Sequence, residues 1–153
     1  MPLNVETITA VLLAVEWLIP FHLNLVFEEL RAVVAEKKLP PSPALVEEAL
    51  QRLMRNGRTH FDHWDERLEK IMDARLPQFC ELMLSLTCQE KDGVKVETLE
   101  LRLRREVTDD QERSAVLRQV LDLLVSDAYL VRSVGVVRFR SALVRRYWLE
   151  VQG

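Results

Sequence analysis

Glycine is scarce in this chain. Four glycines in 153 residues, at positions 57, 93, 135 and 153, cannot build a phosphate-cradling loop, and neither G-x-x-x-x-G-K-[ST] nor G-x-G-x-x-G occurs. Long apolar runs are also missing. The longest, residues 8–19, is interrupted by Glu16 and falls short of the roughly 20 apolar residues a spanning helix needs, so no membrane partner is expected. The N-terminus has no basic stretch ahead of an apolar one, which argues against a signal peptide. The only two cysteines, Cys80 and Cys88, lie eight apart in one expected helix. A rise of about 1.5 Å per residue separates them by roughly 12 Å, too far for a disulfide. A reduced, cytoplasmic protein is the simplest expectation.

Basic charge is the last shortage. The net charge is −3 and the isoelectric point about 5.7, opposite in sign to the basic footprint expected of a nucleic-acid binder. The distribution is uneven. Residues 101–153 hold ten arginines against seven acids, a net of +3, which leaves −6 for residues 1–100.

What the chain does have is apolar periodicity. Leu, Val, Glu and Arg are abundant and proline is limited to six positions, a composition that favours helices over sheet. A first helix is expected over residues 5–17, with Ile8, Val11, Leu12 and Val15 on one face. Pro20 then suits the first turn of a second helix that runs to about Lys37 and buries Phe21, Leu25, Val26, Leu30, Val33 and Val34. After the stiff Leu39-Pro40-Pro41 link, Ser42 as N-cap and Pro43 at the first helical position open a third helix. It carries Leu45, Val46, Leu50, Leu53 and Met54 and stops near Gly57. A fourth helix is expected over residues 60–72, with Phe61, Trp64, Leu68 and Ile71 inward.

Residues 76–140 then read as helix, turn, helix, turn, helix, hairpin. The first of these helices covers residues 76–89, with Phe79, Leu82, Met83 and Leu86 inward. The second covers 96–107. The third runs from about Asp110 to Ser126 behind a Thr108 or Asp109 cap. Two alternating strands follow around Ser133-Val134-Gly135, where Gly135 can take the positive φ of a tight hairpin. This is the signature of a winged helix. The expected fold is mainly α: a helical bundle over residues 1–74 packed on a winged helix over 75–153 with a two-stranded β-hairpin wing.

Little in the chain suggests chemistry. His60, Asp62, His63 and Asp65 fall within six residues, yet Phe61 and Trp64 between them favour a solvated helix start over a metal site. His22 is a lone histidine in an apolar helix start. Cys80 and Cys88 are spaced like core residues, and no serine triad or carboxylate pair stands out. The chain is therefore not expected to be an enzyme, and no cofactor or metal is assigned. As a DNA reader the third winged-helix element is poor, because Asp109, Asp110, Gln111, Glu112, Arg113, Ser114, Arg118, Gln119 and Asp122 are its expected exposed residues and the acids would repel phosphate. The wing is better, with Arg132, Arg138 and Arg140 at alternate positions and Arg145 and Arg146 beyond. A solvated strand face with salt bridges is the simpler reading of these arginines.

The closing segment DAYLVRSVGVVRFRSALVRRYW carries a family resemblance. It is similar to the end of the C-terminal winged helix in prokaryotic AAA-type ATPases of the archaeal-ATPase and STAND-like groups, through Asp127, Tyr129, Leu130, Gly135, Arg138, Phe139, Arg140, Ser141, Leu143, Arg145 and Trp148. Trp17-Leu18-Ile19-Pro20-Phe21-His22-Leu23 resembles the W-x-x-P-Y-x-L turn that opens the helical lid of these proteins. Residues 60–68, HFDHWDERL, resemble the segment leading into their winged helix. Ala128 and Ala142 depart from the family's glycine and proline.

The resemblance implies the lid and winged-helix half of such an ATPase, without its nucleotide-binding α/β domain. It further implies that Pro20 and Trp17 would contact nucleotide only when an ATPase core is supplied. The leading expectation is a non-catalytic regulatory module whose partner is an ATPase core domain or another protein subunit. A winged-helix DNA binder or transcription regulator using Arg132, Arg138, Arg140, Arg145 and Arg146 is the alternative. Self-association through Trp17, Phe21 and Phe27 is a further expectation, since exposed apolar patches tend to pair.

Overall fold

Caps and prolines decide where the helices begin. The computed structural model describes residues 1–56 and 75–152, and these are mainly helical with one small antiparallel sheet. They divide into two compact units. Residues 1–56 with Ser141–Leu143 form the first, and residues 75–140 with 144–152 the second. The boundary expected near residue 74, the helix expected over 60–72 and the His60, Asp62, His63, Asp65 cluster lie outside the described residues.

In the first unit, α1 (Val5–Val15) is capped by Asn4, whose Oδ1 accepts from the Thr7 amide at 2.8 Å and from the Thr7 hydroxyl at 2.6 Å. That pair lets Thr7 sit fully buried. The inward face is Thr7, Val11 and Val15, while Ile8 and Leu12 remain 38% and 39% exposed. The face is thus rotated from the expected one. A helix apolar nearly all round does not encode its orientation, and a satisfied threonine can occupy the core side.

Pro20 opens α2 (Pro20–Lys37), which buries His22, Leu25, Val26, Leu30 and Val33; Val34 is only half-buried and Phe21 is exposed, contrary to expectation. Lys38 closes the helix in the left-handed conformation, its amide on the Val34 carbonyl. Helix α3 (Pro43–Asn56) begins where the Leu45 amide meets Ser42 Oγ at 3.4 Å and buries all five expected residues plus Ala49. The three helices pack on one another. Arg52 ties α3 to α2, reaching Glu36 at 2.5 Å and Glu48 at 3.2 Å.

The second unit starts with α4 (Leu76–Thr87), with Pro77 in its first turn. It buries Cys80, Met83, Leu84 and Thr87, a stripe one residue round from the expected one. Strand β1 (Val94–Lys95) runs directly into α5 (Val96–Leu103), and α6 (Asp110–Ser126) follows behind an Asp109 cap whose Oδ2 accepts from the Glu112 amide at 2.8 Å. Strands β2 (Leu130–Ser133) and β3 (Val136–Phe139) form the expected hairpin around an exposed Val134 and a Gly135 at φ 69°.

The sheet has three strands, not two. It is ordered β1–β3–β2, with Val94 opposite Val137 and Lys95 opposite Val136. A two-residue strand carries no alternation pattern of its own, so only its pairing reveals it. Gly93 makes the approach possible at φ 106°, where a Cβ would lie 2.6 Å from Val136 Cγ1 and 2.8 Å from the Val137 carbonyl oxygen. Helix α6 packs on α4, α5 and β2. After Ser141 comes α7 (Ala142–Tyr147), followed by a π-type turn (Trp148–Gln152) that packs on α4. Tyr147 and Trp148 meet edge-to-face at 6.5 Å, and both are buried.

Candidate functional site

Two surfaces carry the residues singled out from the sequence, one in each unit. The first is the junction between α1 and α2. Glu16 stands at φ 61°, ψ −60°, and the Trp17 amide donates back to the Val15 carbonyl at 2.7 Å. This is a γ-turn of the strained hand. A second tight step follows, from the Ile19 amide to the Trp17 carbonyl at 2.9 Å. Together they turn the chain so that Pro20 starts α2 on the surface, while Trp17 is half-buried with its ring edge-on to His22 at 6.0 Å. Phe21 contacts the other side of His22, also at 6.0 Å. Burial holds the His22 imidazole below its ordinary pKa of 6.5. Phe27 is half-buried, while Leu18 and Phe21 are 51% and 47% exposed.

Ser141 is the residue here that sequence reasoning did not place. Its buried hydroxyl donates to the Val15 carbonyl at 3.2 Å, the same oxygen that accepts the Trp17 amide. The two segments lie 126 residues apart, and no local pattern could have paired them.

The second surface belongs to α6 and the hairpin. Register puts Arg132 opposite Val137, on the face of Leu130 and Phe139, whereas Arg138 is opposite Val131 on the other face. The arginines that look like one alternating row are therefore divided. Arg132 opens into a cleft of about 380 Å³ together with Arg118, over a floor that includes Leu117 and Leu121. Arg138 is half-buried and donates to the Phe139 carbonyl at 3.3 Å; Arg140 is exposed just past the strand. Arg145 is half-buried, and its charge acts on the Cys88 thiol. Arg146 pairs with Glu150 at 3.0 Å.

Arg113, expected to be exposed, is buried. Its guanidinium reaches Glu100 at 2.8 Å, the carbonyls of Val107 and Thr108 at 3.2 and 3.3 Å, and the Asp110 carboxylate. It fastens the α5–α6 connection and is spent on that task. The hydrogen bond from Arg113, with Arg104 adding its charge, holds the Glu100 carboxyl below the ordinary carboxylate range. The remaining expected residues of the α6 face, Asp109, Asp110, Gln111, Glu112, Ser114, Arg118, Gln119 and Asp122, are exposed.

The thiols are in the core. Burial, reinforced by the charges of Glu81 and Asp127, pushes Cys80 up to about 12, and burial also raises Cys88, whose Sγ donates to the Ser85 carbonyl at 3.1 Å. Neither is poised as a nucleophile. Among the described residues no three His, Cys, Asp or Glu side chains come together as a metal site, and no helix is long and apolar enough to cross a membrane. Comparison with known proteins adds no relative: no family model, curated protein or solved structure matches the chain at a significant level.

Proposed function

We propose that this chain is a non-catalytic, protein-binding regulatory module, the lid and winged-helix part of an AAA or STAND-like ATPase, whose partner is an ATPase core domain or another subunit. The observation that carries the reading is the outer face of α1 and the junction beyond it. Val5, Ile8, Leu12 and Leu13 are 74%, 38%, 39% and 73% exposed, and Leu18 and Phe21 are half exposed. Apolar exposure concentrated on one helix and its adjoining turn is the mark of a surface that another protein covers.

Charge narrows the partner. The first thirty residues hold Glu6, Glu16, Glu28 and Glu29 and no lysine or arginine. A second copy would bring like charges together, so a heterologous partner with an apolar face rimmed by basic residues fits better than self-association. The order helix, strand, helix, helix, hairpin, with the short strand paired to the hairpin's second strand, supports a winged helix in the second unit. Pro20 and Trp17 at the junction are then available to a nucleotide only through the partner.

Equilibrium titration of the isolated chain with ATP tests the reading. No saturable binding and no hydrolysis are expected; micromolar affinity with turnover overturns it. The alternative, duplex DNA bound through Arg132, Arg138, Arg140, Arg145 and Arg146, has weaker support, because Arg132 and Arg138 lie on opposite faces of the hairpin, Arg145 and Arg146 lie on α7, and Arg146 is paired with Glu150. A salt-dependent mobility shift lost in the Arg138→Ala, Arg140→Ala double variant would promote it, and absence of a shift at low salt removes it.

A further inference from the structure

The cleft between α6 and β2 brings two arginines together over buried leucines. Arg118 and Arg132 both line it, both are exposed, and neither makes an ion pair among the described residues. Elsewhere Arg52, Arg102, Arg104, Arg113 and Arg146 are held by carboxylates of their own unit. The cleft is not simply a polar patch, since Leu117 and Leu121 are buried beneath it and Val96 forms part of its wall. A site with an apolar floor and two uncommitted guanidinium groups at its mouth suits a ligand of matching character: an apolar side chain flanked by carboxylates, each able to accept the paired N–H groups of an arginine.

We infer that this cleft docks an acidic, apolar peptide segment of a partner protein, with Arg118 and Arg132 as its anchors. The inference rests on the protein-binding reading above and assigns it a second contact surface, separate in chemistry from the acidic, apolar face of α1. Nucleic acid is the competing occupant and fits less well. Asp122 lines the same cleft, and Asp109 is exposed at the start of α6. A duplex presents one negative charge per roughly 1.7 Å of axis. Within the cleft only Asp122 opposes Arg118 and Arg132, a net charge of +1 that suits a short segment with one or two carboxylates but not the charge density of a duplex.

The test uses the whole chain, isotopically labelled, and a short synthetic peptide with two leucines flanked by glutamates. Its counterpart has glutamine in place of every glutamate, and a 20-base-pair duplex serves as the nucleic-acid arm. The acidic peptide is expected to shift the amide resonances of Ser114, Leu117, Arg118, Leu121 and Arg132, with weaker binding as salt rises. The glutamine peptide should bind more weakly. The Arg118→Gln, Arg132→Gln variant should lose roughly tenfold in affinity. Both side chains are exposed, so the variant should keep its fold, which its own amide spectrum verifies, and Arg31→Gln provides a control outside the cleft.

The proposal is overturned if millimolar acidic peptide leaves these resonances unmoved, if the glutamine peptide binds equally well, or if the duplex binds through Arg118 and Arg132 more tightly than the peptide. These results are independent of the ATP titration. A silent cleft in a chain that also ignores ATP removes only this site, whereas ATP turnover removes the module reading and leaves a positive peptide result standing.

Discussion

The hydroxyl of Ser141 donates to the carbonyl of Val15 across 3.2 Å, at the point where the chain leaves α1 and enters its strained γ-turn. Ser141 ends the RFRS segment, and Val15 immediately precedes the turn that leads to Trp17 and Pro20. A hydrogen bond thus ties the end of the hairpin segment to the residue just ahead of the Trp17–Pro20 turn. It is buried and shares its acceptor with the Trp17 amide. Ser141→Ala should cost about 1 kcal/mol in urea unfolding, the usual net value of such a bond. The Trp17 amide should also exchange faster with solvent. An unchanged midpoint and unchanged exchange would show that the bond does not hold the junction.

Ala128 and Gly93 make opposite predictions from the same backbone rule. Ala128 has φ 65°, a left-handed conformation that a Cβ disfavours. Ala128→Gly should stabilise the fold by about 0.5–1 kcal/mol, relief of the Cβ clash outweighing the added freedom of the unfolded chain. Gly93→Ala should destabilise it by about 2 kcal/mol or more, because the new Cβ meets the Val136 side chain and the Val137 backbone at under 3 Å. Thermal melts of both variants decide this, and equal behaviour would contradict the assigned dihedrals.

Arg113→Ala should lower the melting temperature by several degrees, since it strands the Val107 carbonyl and removes the partner of Glu100. Arg113→Lys should restore little of this, because an ammonium cannot reach the same fan of acceptors. Glu100 adds a pH signature. Its folded-state pKa is depressed, so its contribution is complete above about pH 4.5 and is lost as pH falls through the lower folded value. The pair is partly exposed, so salt should weaken it. A wild-type-like melt for Arg113→Ala would disprove the structural role.

His22 titrates in a higher window. Its folded pKa lies below 6.5 because burial disfavours the imidazolium, so the unfolded state takes up the proton first. Stability is therefore complete above about pH 6.5 and declines as pH falls from there toward the folded value. Denaturant midpoints at pH 7.5 and 5.5 should differ for the natural chain, and the difference should shrink in His22→Leu. If it persists unchanged, another group is responsible.

Much of the helical framework is readable along the chain because its signals are local. Ser42 and Asp109 accept from amides within the first turn, Pro20, Pro43 and Pro77 fix φ where no amide is needed, and the helix starts observed at 20, 43, 76 and 110 follow from them. The hairpin is equally local, because Gly135 and the alternation around it need no distant partner. The faces are less readable. In α1 and α4 apolar residues occupy more than one stripe, and the buried one is selected by what packs opposite.

The candidate surfaces show the same division more sharply. Spacing alone puts Arg132, Arg138 and Arg140 in a row, but antiparallel register sends Arg132 into the α6 cleft and Arg138 to the opposite face. Arg113 reads as one more exposed arginine of a polar helix start, and it is the packing of α5 beside it and the path of the connecting loop that bring Glu100 and the Val107 and Thr108 carbonyls onto its guanidinium. Composition, caps and periodicity settle the described helices and the hairpin, since those choices are made by interactions a few residues long. Which side of a helix is buried, that a third strand exists, and that Ser141 meets Val15 depend on contacts between residues far apart in the chain, where short-range pattern has no physical influence.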